Sequence, residues 1–403
     1  MAVDDTWYLA QKVEGKRVPS SKHGRGKRWR VRYRDDTGAP KERLFERQAD
    51  AENFDAEVRT DVNRGTYIDP GGGKQTVAEY ARGWLALQIH RPSTAELYQR
   101  SFRLHVLPQL GRLRLADVRR SHIQAWAKDR SAVLAPRTMA NLHGHLVSMF
   151  AAAVGDRAIA ASPCVDIHLP DVDTAERFIP TPEQIHALAA AVPARYAAMV
   201  YAAAGCGLRQ GEIWGLELEH VDFLRRELRV VQQLVRVPGG PPFLGPPKTK
   251  TSRRAVELGA VTAEKLARHV ELFPPQLVLV EDRTDPRPAK WRMREARLVF
   301  VNARGRPIVA SNWARPWTRA VAAVGIAADF TFHGLRHYYA TLLIHQGATV
   351  KTVQKALGHS KPSITSDLYT HEWPDVVNRT RNLVDAVLGD PLAQIRPNSG
   401  RLA

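Results

Sequence analysis

The chain is poor in cysteine and has no long apolar run. Only Cys164 and Cys206 occur among its 403 residues, which argues against a disulfide framework and suits a reducing compartment. No apolar stretch is long enough to cross a bilayer. The first residues, MAVDDTWYLAQK, lack the apolar core of a signal peptide. These absences predict a cytoplasmic protein with no membrane partner and no structural disulfide.

Acidic residues are also scarce relative to basic ones. The chain has 59 Lys and Arg against 41 Asp and Glu, which gives a formal net charge of +18. A chain this basic usually binds a polyanion, and nucleic acid is the most frequent one. A ribosomal protein or a merely soluble basic protein is the alternative that charge alone leaves open.

Two stretches without hydrophobic periodicity divide the chain into three segments. The first stretch, DPGGG at residues 69–73, is rich in glycine, and the second, at residues 168–182, contains three prolines. A chain of this length also exceeds one typical core. We therefore expect three domains, at residues 1–70, 75–170 and 175–390.

The first segment contains an alternating pattern, RWRVRYR, followed by the turn DDTG and a return strand, KERLF. Period two places the apolar residues on one face of the strand and the arginines on the other. These arginines are Arg28, Arg30, Arg32 and Arg34. Residues 48–64 have the periodicity of a helix. The arginine face is a candidate DNA contact, and a solvated edge strand is the alternative.

The second segment has the pattern of a helical domain. Thr76-x-x-Glu79 and Ser93-x-x-Glu96 are capping boxes before apolar-periodic runs, and Ser121 is a candidate N-cap of a third helix. Residues 136–154 form a fourth helix. Basic residues recur at the helix starts and loops, which suits a clamp on a phosphate backbone, although solvated helix faces would give the same pattern.

The third segment is mixed but mainly helical. Thr181-x-x-Gln184, with Pro182 at the first helical position, starts a helical region that extends to about residue 204. A strand pair follows at residues 225–237 and 250–258. Further helices are predicted at residues 262–272, 312–324, 332–346 and 376–388. We interpret Cys206, in a glycine turn, as structural.

Residues with the chemistry of phosphodiester cleavage are concentrated near the C-terminus. His333 and Arg336 are three apart and so share a face of the helix, which ends at Gly347. Its predicted buried side comprises Leu335, Leu342 and Leu343, and Tyr338 and Tyr339 are also expected in the core. His359 lies in the turn after the helix VKTVQKAL, and Tyr369 follows. With Arg209 upstream, these residue types could attack a phosphodiester through a tyrosine nucleophile.

A metal site is the competing interpretation of this region. His333 and His337 are four residues apart on one helix, which is a spacing that zinc ligands use. The sequence shows no glutamate of the zinc-protease motif between them and no evident third ligand. We therefore expect no metal and no other cofactor.

Several motifs occur in the order found in the tyrosine recombinase, or phage integrase, family. GLRQGEIWGL resembles the first arginine motif of that family, HGLRH the second, and LGHS and DLYTH the motifs of its last histidine and its nucleophile. The resemblance covers residues 175–390. It implies the catalytic residues Arg209, Lys248, His333, Arg336, His359 and Tyr369, with Glu212 in support.

Two lysines are candidates for the catalytic lysine of the family. The family carries it in a β-hairpin, which here corresponds to GPPKTKTSRRAVEL. Lys248 fits best. Lys250 is the alternative, because period two in a strand would place it on the same face.

The resemblance implies a mainly α fold with small β elements: an N-terminal three-stranded sheet plus helix that binds arm-type DNA sites, a helical core-site-binding domain, and an α+β catalytic domain. It further implies a homotetramer on double-stranded attachment-site DNA, with a host bending protein and a directionality factor as further partners. A topoisomerase IB-like nicking-closing enzyme and a non-catalytic DNA-binding accessory protein are the alternatives.

Overall fold

The computed structural model describes residues 2–13, 15–34, 38–64, 72–172 and 178–360. The chain divides into two compact units, residues 1–174 and 175–403. Helices dominate both, and the sheets are small, as the sequence predicts. Within the described part of the chain, no helix is long and apolar enough to cross a membrane.

The first unit begins with strands and one helix. They are β1 (Ala2–Asp5), β2 (Tyr8–Val13), β3 (Lys16–Pro19), β4 (Trp29–Arg34), β5 (Pro40–Phe45) and α1 (Gln48–Arg64). An antiparallel sheet has the order β1-β4-β5, and α1 covers the face that carries Val31 and Tyr33. The predicted three-stranded sheet and helix are confirmed. The separate β2–β3 hairpin was not predicted.

The rest of this unit is helical. Its helices are α2 (Val77–Leu87), α3 (Pro92–Ser101), α4 (Leu107–Leu110), α5 (Arg120–Ser131) and α6 (Pro136–Gly155), with a π-helical turn at Phe102–Val106. Large side chains such as Phe102, Trp126 and Phe150 fill its core.

Only one of the three predicted caps in this region is correct. Thr76 and Glu79 form the predicted capping box. The box at Ser93 is wrong, because Pro92 takes the first position of α3 and leaves Ser93 inside the helix. Ser121 is not an N-cap either, because α5 begins at Arg120.

The second unit contains helices α7 (Pro182–Ala191), α8 (Ala194–Cys206), α9 (Gln210–Trp214), α10 (Ala260–Leu272), α11 (Ala310–Ala323), α12 (His333–His345) and α13 (Val350–Leu357). Helix α8 is apolar on all sides because α7, α10 and α12 pack around it. The predicted helices at 262–272, 312–324 and 332–346 are confirmed. Helix 376–388 lies outside the described residues.

Two sheets flank these helices. One has the order β10-β7-β6, with β6 at Val221–Asp222, β7 at Glu227–Val230 and β10 at Arg254–Glu257. The other has the order β12-β11-β9-β8, with β8 at Gln233–Val235, β9 at Phe243–Gly245, β11 at Gln276–Asp282 and β12 at Arg292–Leu298. The predicted pairing of β7 with β10 is confirmed. The predicted first strand is in fact two strands, because β8 joins the second sheet.

The burial predicted for α12 is partly wrong. Leu335 is fully buried, but Leu342 is 39% exposed and Leu343 is half-buried. Tyr338 and Tyr339 are half-buried and pack against the cores of this unit. The helix therefore buries its first turns more completely than its last turn.

Candidate active site

A left-handed glycine positions the first arginine of the site. Helix α8 ends at Cys206, and Gly207 follows with φ 59°. A Cβ atom at this position would collide with the ring of Tyr339 and would lie 2.9 Å from Leu357. The resulting reversal places Arg209 at the N-cap of α9. Only glycine fits this combination of backbone angle and packing.

Glu212 holds Arg209 from the first turn of α9. The Arg209 Nη1 donates to Glu212 Oε1 at 2.8 Å, and the Arg209 backbone N–H donates to Glu212 Oε2 at 3.0 Å. Glu212 is buried, whereas the Arg209 side chain is 20% exposed. The carboxylate therefore fixes the guanidinium while leaving part of it accessible.

Arg254 on β10 is a second partner of Glu212, and sequence reasoning missed it. Its Nη2 lies 3.1 Å from Glu212 Oε2, and its Nε donates to the Ala356 carbonyl oxygen at 2.8 Å. Burial by itself would raise the pKa of Glu212, but Arg254 and Arg209 hold that pKa below its ordinary value. Strand periodicity could have identified Arg254, because it shares a face with the buried Val256. A charged residue on a buried strand face requires a partner.

Arg336 lies on α12, and the protein buries it almost completely. Its Nη1 donates to the Gly207 carbonyl oxygen and its Nη2 to the Leu357 carbonyl oxygen. Burial and then repulsion from Arg209 lower the pKa of Arg336 to about 9, although Glu212 opposes this shift. Arg336 therefore stays charged at neutral pH, in a site where positive charge exceeds negative charge.

His359 follows the left-handed Gly358 that ends α13. A Cβ atom at Gly358 would lie 2.8 Å from the Thr251 carbonyl oxygen, so the turn packs tightly on the chain before β10. Burial and then the positive charge of Arg336 lower the pKa of His359 to about 4. His359 is therefore neutral at physiological pH and can donate one hydrogen bond without carrying charge.

His333 is the first residue of α12 and is exposed. It is close enough to contribute to the lowered pKa of His359. Its ring centroid lies 4.9 Å from that of His337. The structure thus brings Arg209, Arg336, His333 and His359 into one site, with Glu212 beneath it.

The two candidate lysines lie in the connection that enters β10, the second strand of the confirmed β7–β10 pair. The segment joins β9 to β10, and these strands belong to different sheets. Lys248 and Lys250 are both exposed. Lys250 begins a 3₁₀ turn, Lys250–Ser252, so strand periodicity does not relate the two lysines. Ser252 Oγ accepts from Arg209 Nη1 at 3.0 Å, which ties this segment to the site.

The predicted nucleophile, Tyr369, lies outside the described residues. Tyr338 and Tyr339 are the other tyrosines of this region. Burial raises the pKa of Tyr339 to about 12 and also raises that of Tyr338. Both shifts disfavour loss of the phenolic proton, which a tyrosine must give up when it acts as a nucleophile.

One group of three side chains in the described part of the chain has its ligand atoms close enough to share a metal ion: Glu217, Glu219 and His220. Glu217 is already engaged, because its Oε1 lies 2.6 Å from Arg294 Nη2 and also accepts from Gln232 Nε2 at 2.8 Å. His333 and His337 do not belong to this group. The ion pair with Arg294 accounts for the buried carboxylate of Glu217 without a metal ion.

The N-terminal arginines have different environments. Arg28 precedes β4 and donates Nε and Nη2 to the carboxylate of Asp5, with Nη2 to Oδ2 at 2.8 Å. Its guanidinium also lies over the rings of Trp7, Tyr8 and Trp29, at 5.0 to 5.6 Å from their centroids. These contacts fasten Arg28 to the fold.

Arg30, Arg32 and Arg34 extend from β4 on the face opposite the buried Val31. Asp4 on β1 contacts Arg30 and Arg32, and Arg34 Nη1 donates to the carbonyl oxygen of Gly38 at 2.8 Å. The predicted alternation is therefore present, but carboxylates offset part of its charge.

Comparison with known proteins decides the family. The profile of the phage integrase family matches residues 171–374, and that of the phage integrase N-terminal SAM-like domain matches residues 76–129. The chain belongs to the phage integrase family. It is thus a site-specific tyrosine recombinase, an enzyme that cleaves and joins DNA.

Relatives of this integrase span most of its length. It is 28% identical over 326 residues to a tyrosine recombinase XerC-like protein of Caldanaerobacter subterraneus, which covers 74% of this chain and 80% of that protein. The fold resembles the Tn1549 transposon integrase in complex with a circular intermediate DNA, with a TM-score of 0.66, 21% identity and coverage of 77% and 99%. It also resembles the lambda integrase tetramer bound to a Holliday junction, with a TM-score of 0.54, 17% identity and coverage of 86% and 95%. The predicted mainly α fold with small β elements is thereby confirmed.

Proposed function

We propose that this integrase cleaves and rejoins DNA with Arg209, Lys248, His333, Arg336, His359 and Tyr369, supported by Glu212. One observation carries the proposal: Arg209 and Arg254 both pair with the single carboxylate of Glu212, and the buried Arg336 adds a third positive charge close enough to interact electrostatically with that carboxylate. A site with this excess of buried positive charge favours an anion, and a phosphodiester is the anion that the family's reaction requires.

In the proposed reaction, the Tyr369 oxygen attacks the scissile phosphorus and the bond from phosphorus to the 5′-oxygen breaks. The product is a 3′-phosphotyrosyl link and a free 5′-hydroxyl. His333 accepts the phenolic proton, and Lys248 donates a proton to the departing oxygen. Attack by the 5′-hydroxyl of a partner strand reverses these steps. Each step exchanges one phosphodiester for another, so no nucleotide cofactor is needed.

The arginines and His359 stabilise the transition state. Arg209 and Arg336 donate to the non-bridging oxygens, where negative charge accumulates. Neutral His359 donates a further hydrogen bond. Because the arginines already supply the positive charge that a metal ion would bring, we expect cleavage to continue in the presence of EDTA.

The other segments are proposed to hold the DNA. We assign residues 1–70 to an arm-type DNA-binding domain, residues 75–170 to a helical core-site-binding domain and residues 175–390 to the catalytic domain. The arginine face of β4 supports the first assignment, with Arg30, Arg32 and Arg34 better placed for DNA than Arg28. By analogy with the lambda integrase tetramer on a Holliday junction, we propose that this integrase acts as a homotetramer on attachment-site DNA. A host bending protein and a directionality factor complete the proposed partners.

A suicide substrate with a nick beside the scissile phosphate tests the proposal. The released fragment diffuses away, so the covalent protein–DNA adduct accumulates. Tyr369→Phe should abolish the adduct and keep site binding, because the change removes only the hydroxyl group. Tyr338→Phe and Tyr339→Phe are matched controls that should form the adduct.

Three outcomes would contradict the proposal. An undiminished adduct in Tyr369→Phe would overturn the assignment of the nucleophile. No adduct with the intact chain on its own attachment site would favour a DNA-binding accessory protein. Relaxation of a plasmid that lacks any attachment site would favour a nicking-closing enzyme.

A further inference from the structure

Asp4 bridges two arginines on the open face of the N-terminal sheet. Its Oδ2 lies 2.7 Å from Arg32 Nη2 and 3.3 Å from Arg30 Nη2. Asp4 is opposite Arg30 in the pairing of β1 with β4. One carboxylate oxygen therefore accepts from two neighbouring guanidinium groups.

Carboxylates flank these arginines from both adjacent strands. On β5, Glu42 lies opposite Arg32, and its Oε2 is 3.8 Å from Arg30 Nη1. The face thus combines three arginines with two acidic residues. The Nε–H of Arg30 is buried and lacks an acceptor within the described structure. The arginines are held in place, and the exposed parts of the Arg30 and Arg32 guanidinium groups remain available to a further acceptor.

We propose that Asp4 competes with DNA phosphate oxygens for Arg30 and Arg32, and that it thereby lowers the affinity of this face for DNA of arbitrary sequence. The inference rests on the proposed DNA contact of the N-terminal sheet. A guanidinium group offers the same donors to a carboxylate and to a phosphate, so a phosphate must displace Asp4 or share its donors.

The size of the effect follows from the exposure of the pairs. The side chains of Arg32 and Arg30 are 59% and 31% exposed, and that of Asp4 is 28% exposed. Ion pairs this exposed are individually weak. Removing the competitor should therefore raise non-specific affinity by roughly two- to fivefold. For an integrase that searches a large excess of non-specific DNA, lower non-specific affinity favours the specific sites.

The test compares two isosteric changes in the full-length chain. Asp4→Asn removes the carboxylate at the arginines, and Glu57→Gln removes one negative charge from the exposed surface of α1. Binding of both variants to a short duplex of scrambled sequence is measured over a range of salt concentrations. We expect Asp4→Asn to bind several-fold more tightly than Glu57→Gln and to show a steeper decline of affinity with salt, since more phosphate contacts form. Equal binding by the two variants would overturn the inference.

Arg32→Ala separates this inference from the DNA contact on which it rests. A loss of binding in Arg32→Ala, together with no gain in Asp4→Asn, would retain the contact and reject the competition. Unchanged binding in Arg32→Ala and Asp4→Asn would reject the contact itself. If Asp4 and Arg32 act as proposed, the double variant Asp4→Asn, Arg32→Ala should lose most of the gain in non-specific DNA affinity that Asp4→Asn shows alone. Because unfolding of so basic a chain could also raise non-specific binding, the unfolding midpoint of Asp4→Asn is measured alongside and should match that of Glu57→Gln.

Discussion

Glu212 and Arg254 form an ion pair in the interior of the second unit, with Oε2 and Nη2 3.1 Å apart and side chains only 1% and 4% exposed. Arg254 also contacts the carbonyl oxygens of Ser252 and Ala356. The pair therefore links three chain segments that carry proposed catalytic residues: α9, the connection before β10, and the end of α13.

Removing one member of this pair should destabilise the domain. Arg254→Met leaves the Glu212 carboxylate with only Arg209, and such a loss costs about 3 kcal/mol of unfolding free energy. Urea denaturation of the variant and of the intact chain measures the difference. The double variant Arg254→Met, Glu212→Gln should recover part of that stability without recovering cleavage. Full stability of Arg254→Met alone would contradict the burial of the pair.

Arg336→Lys should slow cleavage on the suicide substrate by a factor of about a hundred or more. A lysine cannot maintain both backbone contacts and still offer donors to the phosphate in a fixed plane. DNA binding should weaken far less, because the chain has 59 Lys and Arg residues in total and phosphate contacts can be shared among many of them. Arg225→Ala is the control, since that side chain is 86% exposed and lies at the surface beside Asp222. An Arg336→Lys variant that cleaves at the normal rate would remove Arg336 from the site.

Lys248→Ala should cleave slowly on a normal substrate and at a restored rate on a substrate with sulfur at the 5′-bridging position. A thiolate leaves without protonation, so the need for a general acid disappears. Single-turnover rates on the two substrates give the comparison. Lys250→Ala is the matched control, and rescue of that variant instead would transfer the role to Lys250.

The pKa of His359, lowered to about 4, predicts a pH dependence of stability. The unfolded chain binds a proton near the ordinary histidine value of 6.5, but the folded chain resists protonation until about pH 4. The stability that neutral His359 contributes is therefore complete above pH 6.5 and is lost as the pH falls towards 4. His359→Gln should decline less over this range than the intact chain. Identical declines of the two unfolding midpoints would contradict the lowered pKa.

Gly358→Ala should impair cleavage by displacing His359. Besides the positive φ, the added Cβ would meet the Thr251 carbonyl oxygen at 2.8 Å. Gly325→Ala is a control for backbone strain alone, because φ there is 73° and no atom lies within 4 Å of the added Cβ. Adduct formation should fall further in Gly358→Ala than in Gly325→Ala. Equal activity of both variants would show that the contact with Thr251 does not position the histidine.

Much of the fold could be predicted because its signals are local. Helix α1 and the capping boxes at Thr76 and Thr181 depend on residues within a few positions of each other. The capping box predicted at Ser93 is wrong because the preceding Pro92, whose fixed φ suits the first helical position, starts the helix instead.

Strand pairing could not be predicted in the same way. Strand β11 contains the apolar run LVLV, which periodicity alone cannot distinguish from a buried helix, and its antiparallel partner β12 is rich in charged residues. The connection through Lys248 resembles the turn of a hairpin in sequence, but the strands on its two sides do not pair with each other: β9 pairs with β8, and β10 pairs with β7.

For the candidate site, residue types indicated the chemistry, but the supporting contacts required the fold. His333 and Arg336 are related by helix periodicity, and the motif order relates them to Arg209 and His359. Arg254 lies within GPPKTKTSRRAVEL, where only the lysines were predicted to belong to the site, and its partner Glu212 lies 42 positions upstream. Such partners depend on tertiary packing, which a single sequence does not specify directly.

The two hydrogen bonds of Arg336 end on backbone carbonyl oxygens, of Gly207 and Leu357, and not on side chains. Every amino acid supplies such an oxygen, so point substitution cannot delete either acceptor. Substitutions should therefore leave the orientation of Arg336 unchanged as long as the two turns, at Gly207 and Gly358, keep their backbone conformation. Surfaces that select a DNA sequence can then diversify while this part of the chemistry stays fixed, which suits the protein as a scaffold for directed evolution of new target sites.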